Sequence, residues 1–280
     1  MKVKEVRCKS AIVKSKLPDA DYVINPYTGC EFGCSYCYAS FMCRFVNEPI
    51  SSWGNFINPK INIIEVLKKQ LDSKSILKDK SILMSSVTDP YTYIEQKYEL
   101  TRGILVNLFL SNWAGRISLL TKSPLVTRDI DIFKQLQHCE VGMTITSNDN
   151  QISKTLEKNA PFVRARIKAL EMLNNNGIKT YAFIGPIIPS YMEDMKGLDN
   201  LFEQLKSVGV DQVYMEFMNL KSVKNNVISA LEHEYSSEQI NAFLKNLANQ
   251  DDLKKQETAI KQIVNKHNIV LKLSEVIQHS

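Results

Sequence analysis

Between residues 21 and 218 the chain alternates short apolar, β-branched runs with segments whose apolar residues recur at helical spacing. That alternation limits the fold more than any other feature. Strands are predicted at 21–25 (stopped by Pro26), 81–86, 116–121, 140–147, 178–184 and 210–218. Between them, Pro59 is expected to open a helix carrying Ile61, Ile64, Leu67 and Leu71 on one side. Further helices are predicted at 100–112, 128–138, 161–175 (ended by Asn176-Gly177) and 193–208 (stopped by Gly209). Six strands alternating with helices give a parallel α/β structure. The 280 residues suffice for one large α/β domain, or for one with an appendage.

The pattern changes at both ends. Past Asn219 polar helices take over. Ser236-Ser237-Glu238-Gln239 reads as a capping box, followed by Ile240, Phe243, Leu244 and Leu247 on one face. A second helix runs from Asp252 through Ile260, Ile263 and Val264, and 269–273 is expected to form a last strand. The chain thus divides into a basic arm (1–20), a core (21–218) and a C-terminal helical extension (219–280). Within 1–16, Lys2, Lys4, Arg7, Lys9, Lys14 and Lys16 face Glu5 alone, which accounts for the whole net charge of +5. Such an arm either attracts phosphates or is simply a solvated terminus. No apolar stretch is long enough to span a bilayer, and no signal-like segment follows Met1. The expectation is a cytoplasmic protein whose cysteines stay reduced and available to metal.

Three of the six cysteines, Cys30, Cys34 and Cys37, stand within eight residues as C-x3-C-x2-C. Thiolates suit iron–sulfur clusters and zinc. Three of them can hold three corners of a [4Fe–4S] cube and leave one iron open, whereas an electron-carrying cube takes four. A zinc site would need a fourth ligand such as Cys43, Cys8 or a histidine.

In parallel α/β folds, ligands bind at the C-terminal ends of the strands. This rule selects Ser85 to Tyr91, Thr121 to Pro124, Thr144 to Asp149, Gly185-Pro186 and Met215 to Asn219. The plainer readings are that Thr88-Asp89-Pro90 forms a turn and that Ser147 caps a helix. Lys122 would be costly to bury unpaired, so it meets either solvent or an anion. The four histidines, His138, His233, His267 and His279, show no ligand spacing and read as surface residues. Cys8, Cys43 and Cys139 read as inert, although Cys43 follows Cys37 by only six residues.

Asn25-Pro26-Tyr27-Thr28-Gly29-Cys30 leading into Cys37-Tyr38-Ala39 resembles the radical S-adenosylmethionine (SAM) enzymes of the spore photoproduct lyase-like group. Four later blocks are similar in order. They are Thr88-Asp89-Pro90-Tyr91 with Glu95 and Leu100-Thr101-Arg102; Leu120 to Ser123 with Thr127-Arg128-Asp129; Leu156-Glu157 with Pro161 and Arg166; and Pro186 to Pro189. The resemblance implies a partial (β/α)6 TIM-type barrel with a C-terminal helical appendage, and a [4Fe–4S] cluster on Cys30, Cys34 and Cys37. It also implies SAM chelated at the open iron, with Tyr36, Tyr38, Thr88, Lys122, Ser147 and Arg166 as its contacts. An electron donor such as flavodoxin or ferredoxin would then permit reductive cleavage to a 5′-deoxyadenosyl radical, which abstracts a hydrogen atom from the substrate. Tyr38, Ser86 and Cys43 are the candidates for a further catalytic group. Ser86 stands where the lyase carries a hydrogen-donating cysteine, and a serine O–H is a poor donor of hydrogen atoms. The lyase's longer N-terminal domain and DNA-wedging hairpin also have no counterpart.

Three functions follow. The first is a radical SAM enzyme acting on an undetermined substrate. The second is a DNA or RNA repair or modification enzyme that uses the basic arm. The third is a non-catalytic iron–sulfur or zinc-binding regulatory protein. None involves a membrane.

Overall fold

The structure, a computed structural model, describes residues 1–73, 76–189, 195–247 and 250–278. The chain divides into two compact units. The first comprises Met1–Gly33, Ala39–Gly142 and Asn175–Lys179, and the second Cys34–Tyr38, Met143–Asn174 and Thr180–Ser280.

The first unit opens with β1 (Lys2–Val3), β2 (Ile12–Lys14), β3 (Tyr22–Ile24), β4 (Tyr27–Gly29), β5 (Phe56–Pro59) and α1 (Ile63–Leu71). It continues with β6 (Ile82–Met84), α2 (Glu95–Tyr98), α3 (Leu100–Leu110), β7 (Ile117–Thr121) and α4 (Ile130–Phe133). Strands β3, β6 and β7 run parallel, with Ile24 opposite Met84 and Met84 opposite Leu119. Those three side chains are fully buried, as are Ile63 and Leu67 of α1 and Ile104, Leu105 and Leu108 of α3. Burying each such aliphatic group contributes about 1.5–3 kcal/mol.

Three local predictions give way here. Pro59 ends β5 opposite Tyr27 instead of opening a helix. The helix starts four residues later because the Asn62 amide is tied to the Cys8 backbone in both directions, at 2.8 and 2.9 Å. The span 128–138 holds the last two residues of a 3-10 segment (Pro124–Asp129) and the single turn of α4. Arg128 and Asp129 are drawn instead into a buried polar network. Asp129 accepts from Arg102 and Tyr91, and Glu95 accepts from Arg128 and Tyr27. The basic arm is paired rather than loose. β1 lies parallel to β5, β2 lies antiparallel to β3, and Gln70 accepts from the Ala11 and Ile12 N–H groups.

Strand β8 (Cys139–Thr144) crosses the division between the units. The second unit then holds α5 (Asn150–Leu156), α6 (Val163–Asn175), β9 (Lys179–Ile187), α7 (Met195–Ser207), β10 (Gln212–Phe217), α8 (Lys224–Leu231), α9 (Ser237–Lys245), α10 (Gln250–Lys266) and β11 (Val270–Leu271). β9, β10 and β11 are parallel, and Leu198, Leu201, Phe202 and Leu205 of α7 are fully buried. All six predicted core strands are present with shifted ends: most are shorter, while β9 runs on to Ile187 and β8 starts at Cys139. Residues 193 and 194 of the predicted fifth helix, and His279, lie outside the described residues. The helix α5 has no counterpart in the prediction; Asp149 caps it by accepting the Gln151 N–H at 2.8 Å. The Ser236–Gln239 capping box forms as read. The last strand also forms, so the tail adds β structure as well as helices. His267 is not a surface group. It stacks on Phe202 and lies 2.7 Å from Asp199.

Candidate functional site

Residues 29–33 of the cysteine loop belong to the first unit. Gly29 has φ +89°, and a Cβ there would come within 2.6 Å of Phe56. Gly33 has φ +57°, and a Cβ there would sit 2.8 Å from the Gly54 Cα. Only glycine tolerates both the left-handed backbone and these approaches. Cys30 is buried between them. The Glu31 carboxylate accepts the Ile94 N–H at 3.0 Å, and burial pushes its pKa up. The Thr88 hydroxyl donates to the Gly29 carbonyl.

Asp89 joins the ends of two strands. Its carboxylate accepts from the Thr121 hydroxyl at 2.6 Å, and from the Lys122 and Tyr91 N–H groups at 2.8 Å each. Burial raises its pKa and these three donors oppose the rise. The effect is to fix the corner that carries Lys122, which is half-buried. Ser86 is fixed similarly: Asn25 Oδ1 accepts the Ser86 and Val87 N–H groups at 2.9 and 3.2 Å. Cys43 is fully buried, its sulfur 4.0 Å from the Ile50 carbonyl.

Residues 34–38 belong to the second unit. The Cys37 N–H donates to the Cys34 carbonyl at 3.1 Å, closing a turn. The Ser35 N–H donates to the Leu156 carbonyl at 2.8 Å, and the Tyr36 hydroxyl donates to Glu157. Glu157 is itself a hub. It accepts from Arg166 Nη2 at 2.5 Å and from the Thr146 hydroxyl at 3.2 Å. Arg166 also donates to the Pro161 and Thr144 carbonyls, at 2.8 and 3.1 Å. Both members of the pair are 1% exposed. Burial, with the Glu157 charge second, pushes the Tyr36 hydroxyl well above its ordinary pKa, so it remains a donor. Tyr38 is more than half exposed, and Ser147 is buried with its hydroxyl accepting the Asp149 N–H at 2.9 Å. The sequence reading gave no role to Glu157 or Asn25. The available signal was Leu156-Glu157 preceding Arg166, because a buried arginine requires an acid.

The donor set suits a soft metal group. All six thiols are free of disulfides, and Cys30 and Cys34 are buried on a loop whose glycines permit close approach. Among the described residues, no three His, Cys, Asp or Glu side chains are already grouped as a metal site. The fit therefore rests on donor chemistry and loop backbone. No helix among the described residues is long and apolar enough to cross a membrane.

A family model described as the radical SAM superfamily matches residues 24–202. An uncharacterized protein of Methanocaldococcus jannaschii is 40% identical over 219 residues, 78% of this chain and 78% of its own length. A protein of Pseudomonas phage M6, named radical SAM Nalpha-GlyT isomerase, is 26% identical over 227 residues, 78% of this chain and 44% of its own. Spore photoproduct lyase, solved with a dinucleoside spore photoproduct, superposes with a TM-score of 0.68 at 16% identity. The superposition covers 95% of this chain and 79% of the lyase chain. The fold is accordingly a mixed α/β fold with a parallel sheet, of the same partial-barrel kind. Among the described residues no strand pairing closes it into a ring.

Proposed function

The chain belongs to the radical SAM superfamily, an enzyme family that cleaves SAM at an iron–sulfur cluster, and from that premise we propose that Cys30, Cys34 and Cys37 hold its [4Fe–4S] cluster. The observation that carries the assignment is the C-x3-C-x2-C loop itself: three thiols outside any disulfide, two of them buried, on a loop whose turns at Gly29 and Gly33 only glycine permits. When bound and reduced, the cluster and SAM supply a 5′-deoxyadenosyl radical for abstracting a hydrogen atom from a substrate. The chain's own residues bind and orient. Thr88 is held on the Gly29 carbonyl and Lys122 sits at a strand end held by Asp89, and Lys122 offers its ammonium to the SAM carboxylate. Tyr36, Tyr38 and Ser147 complete the contacts from the other stretch of chain. Arg166 acts at one remove, through Glu157, to hold Tyr36. The electron enters from a partner such as flavodoxin or ferredoxin.

The test is anaerobic reconstitution. About four irons per chain are expected, with brown absorbance and 5′-deoxyadenosine formation from SAM and dithionite. Cys34→Ala should abolish all three. One tetrahedral zinc per chain, with no colour and no 5′-deoxyadenosine, would leave only a binding or regulatory role.

A second reading, that the substrate is a nucleic acid, has one structural observation behind it. A cavity of about 850 Å³ in the first unit is lined by Lys14, Lys16, Lys80 and Arg116, with Asp19 and Asp21. Because β1 and β2 are paired, deleting the arm would disturb the sheets, so the cleaner variant is Lys14→Ala/Lys16→Ala. Its affinity for single-stranded DNA should fall and its salt slope should drop by about two. No binding by the intact protein at low salt would end this reading.

A further inference from the structure

Ser85 follows the last residue of β6 with φ +70°, a backbone region that favours glycine. The residue is 7% exposed, and its hydroxyl has no hydrogen-bond partner among the described residues. A buried hydroxyl without a partner and a left-handed serine are each unfavourable. Both occur at one position, where glycine would remove both. Meanwhile the surrounding backbone is well satisfied. The Ser85 N–H donates to the Ile24 carbonyl at 2.9 Å, and Asn25 takes the next two N–H groups. The strain is therefore held in place by neighbours that have no need of the side chain. The position is also the C-terminal end of a parallel strand, where ligands bind in this class of fold. Thr88, three residues on, reaches the carbonyl of Gly29, the residue before Cys30.

We infer that the Ser85 hydroxyl is a SAM-binding group, which completes its hydrogen bonding on a polar atom of the bound cofactor. The inference rests on the reading of this chain as a SAM binder given above. It adds a residue that the family resemblance does not supply. A serine hydroxyl both donates and accepts, and SAM offers a carboxylate, an amino group, ribose hydroxyls and adenine nitrogens to meet it.

Ser85→Ala removes the hydroxyl and keeps the left-handed backbone, whereas Ser85→Gly removes both costs. The measurement is SAM binding by equilibrium dialysis on the cluster-reconstituted full chain without reductant, alongside iron content and melting temperature. Both variants should retain iron and bind SAM about three- to ten-fold more weakly, the loss expected for one hydrogen bond. Ser85→Gly should melt at or above the wild type. Lys122→Ala serves as the reference. If it weakens SAM binding while both Ser85 variants bind within about two-fold of wild type, smaller than one ordinary hydrogen bond, the inference is overturned. A wild-type chain that does not bind SAM sinks the cofactor reading, and this inference with it. Weakened Ser85 variants beside an unaffected Lys122→Ala would uphold Ser85 and remove Lys122 from the SAM contacts.

Discussion

Residues 29–33 and 34–38 are consecutive in the chain, yet they are held by different means. The first stretch is fixed by close backbone approach at Gly29 and Gly33 and by hydrogen bonds from Thr88 and to Glu31. The second has the Ser35 N–H on the Leu156 carbonyl, but its side-chain anchor, Tyr36, hangs on one buried ion pair, Glu157–Arg166. Packing of the first kind spreads the constraint over many atoms. A buried ion pair concentrates it, because removing either partner strands the other charge in a medium that solvates it poorly. The loop should therefore tolerate small losses in its first stretch and fail abruptly in its second.

The largest effect tests this directly. Arg166→Met should cost about 3–5 kcal/mol, the usual penalty for breaking a buried pair from one side. Denaturant melts would read the loss. Glu157→Leu/Arg166→Met together should recover part of it, because no charge is left behind, but not all, because Tyr36 and Thr146 lose their acceptor. If the single variant is as stable as wild type, the contrast between the two stretches collapses. Asp89→Asn comes next, at about 1–3 kcal/mol. It cannot accept equally from Thr121, Lys122 and Tyr91. A matching loss of SAM affinity would show that the brace positions Lys122.

Gly33→Ala probes the first stretch. Its Cβ would meet backbone, not a mobile side chain, and φ is +57°. A cost of about 1–2 kcal/mol is expected from the left-handed backbone and the contact together, with lowered iron incorporation. Ser236→Ala is a comparison far from the loop in sequence. Losing the capping box of α9 should cost about 1 kcal/mol and leave iron content untouched. Iron loss in this variant would mean that the tail and the loop are coupled.

The strands were legible because their β-branched runs and flanking breakers are local signals, and the capping box for the same reason. The helix predicted at 128–138 was not, because Arg128 and Asp129 are committed to Glu95 and Arg102, partners some 30 residues away in sequence that periodicity cannot register. Pro59 misled for a similar reason: its pairing with Tyr27 is a tertiary fact. At the site, the cysteine spacing and the strand ends could be read directly. The braces Asp89, Asn25 and Glu157 could not be assigned as braces, since a carboxylate or amide declares its partners only when the chain has folded. The strand-end rule selects Ser85 only as one polar residue among several; its backbone angle and buried hydroxyl set it apart.

The smallest effect concerns a pair that resembles Glu157–Arg166 in composition but not in setting. Asp131 lies 2.6 Å from Arg102 and its side chain is 58% exposed. The Arg102 guanidinium holds the Asp131 carboxyl down at about 2, below its ordinary 3.8. Because the folded value is the lower one, the pair stabilises the fold above the unfolded pKa, and that contribution fades as pH falls from about 4 towards 2. Solvent screening limits it to about 0.5 kcal/mol or less. Asp131→Asn should flatten this portion of the stability–pH curve and change little at neutral pH, where Arg102 keeps Asp129 at 2.8 Å. Added salt should shrink the difference further. A loss at neutral pH comparable to that of Arg166→Met would mean that burial is not what makes the second stretch of the loop depend on its ion pair.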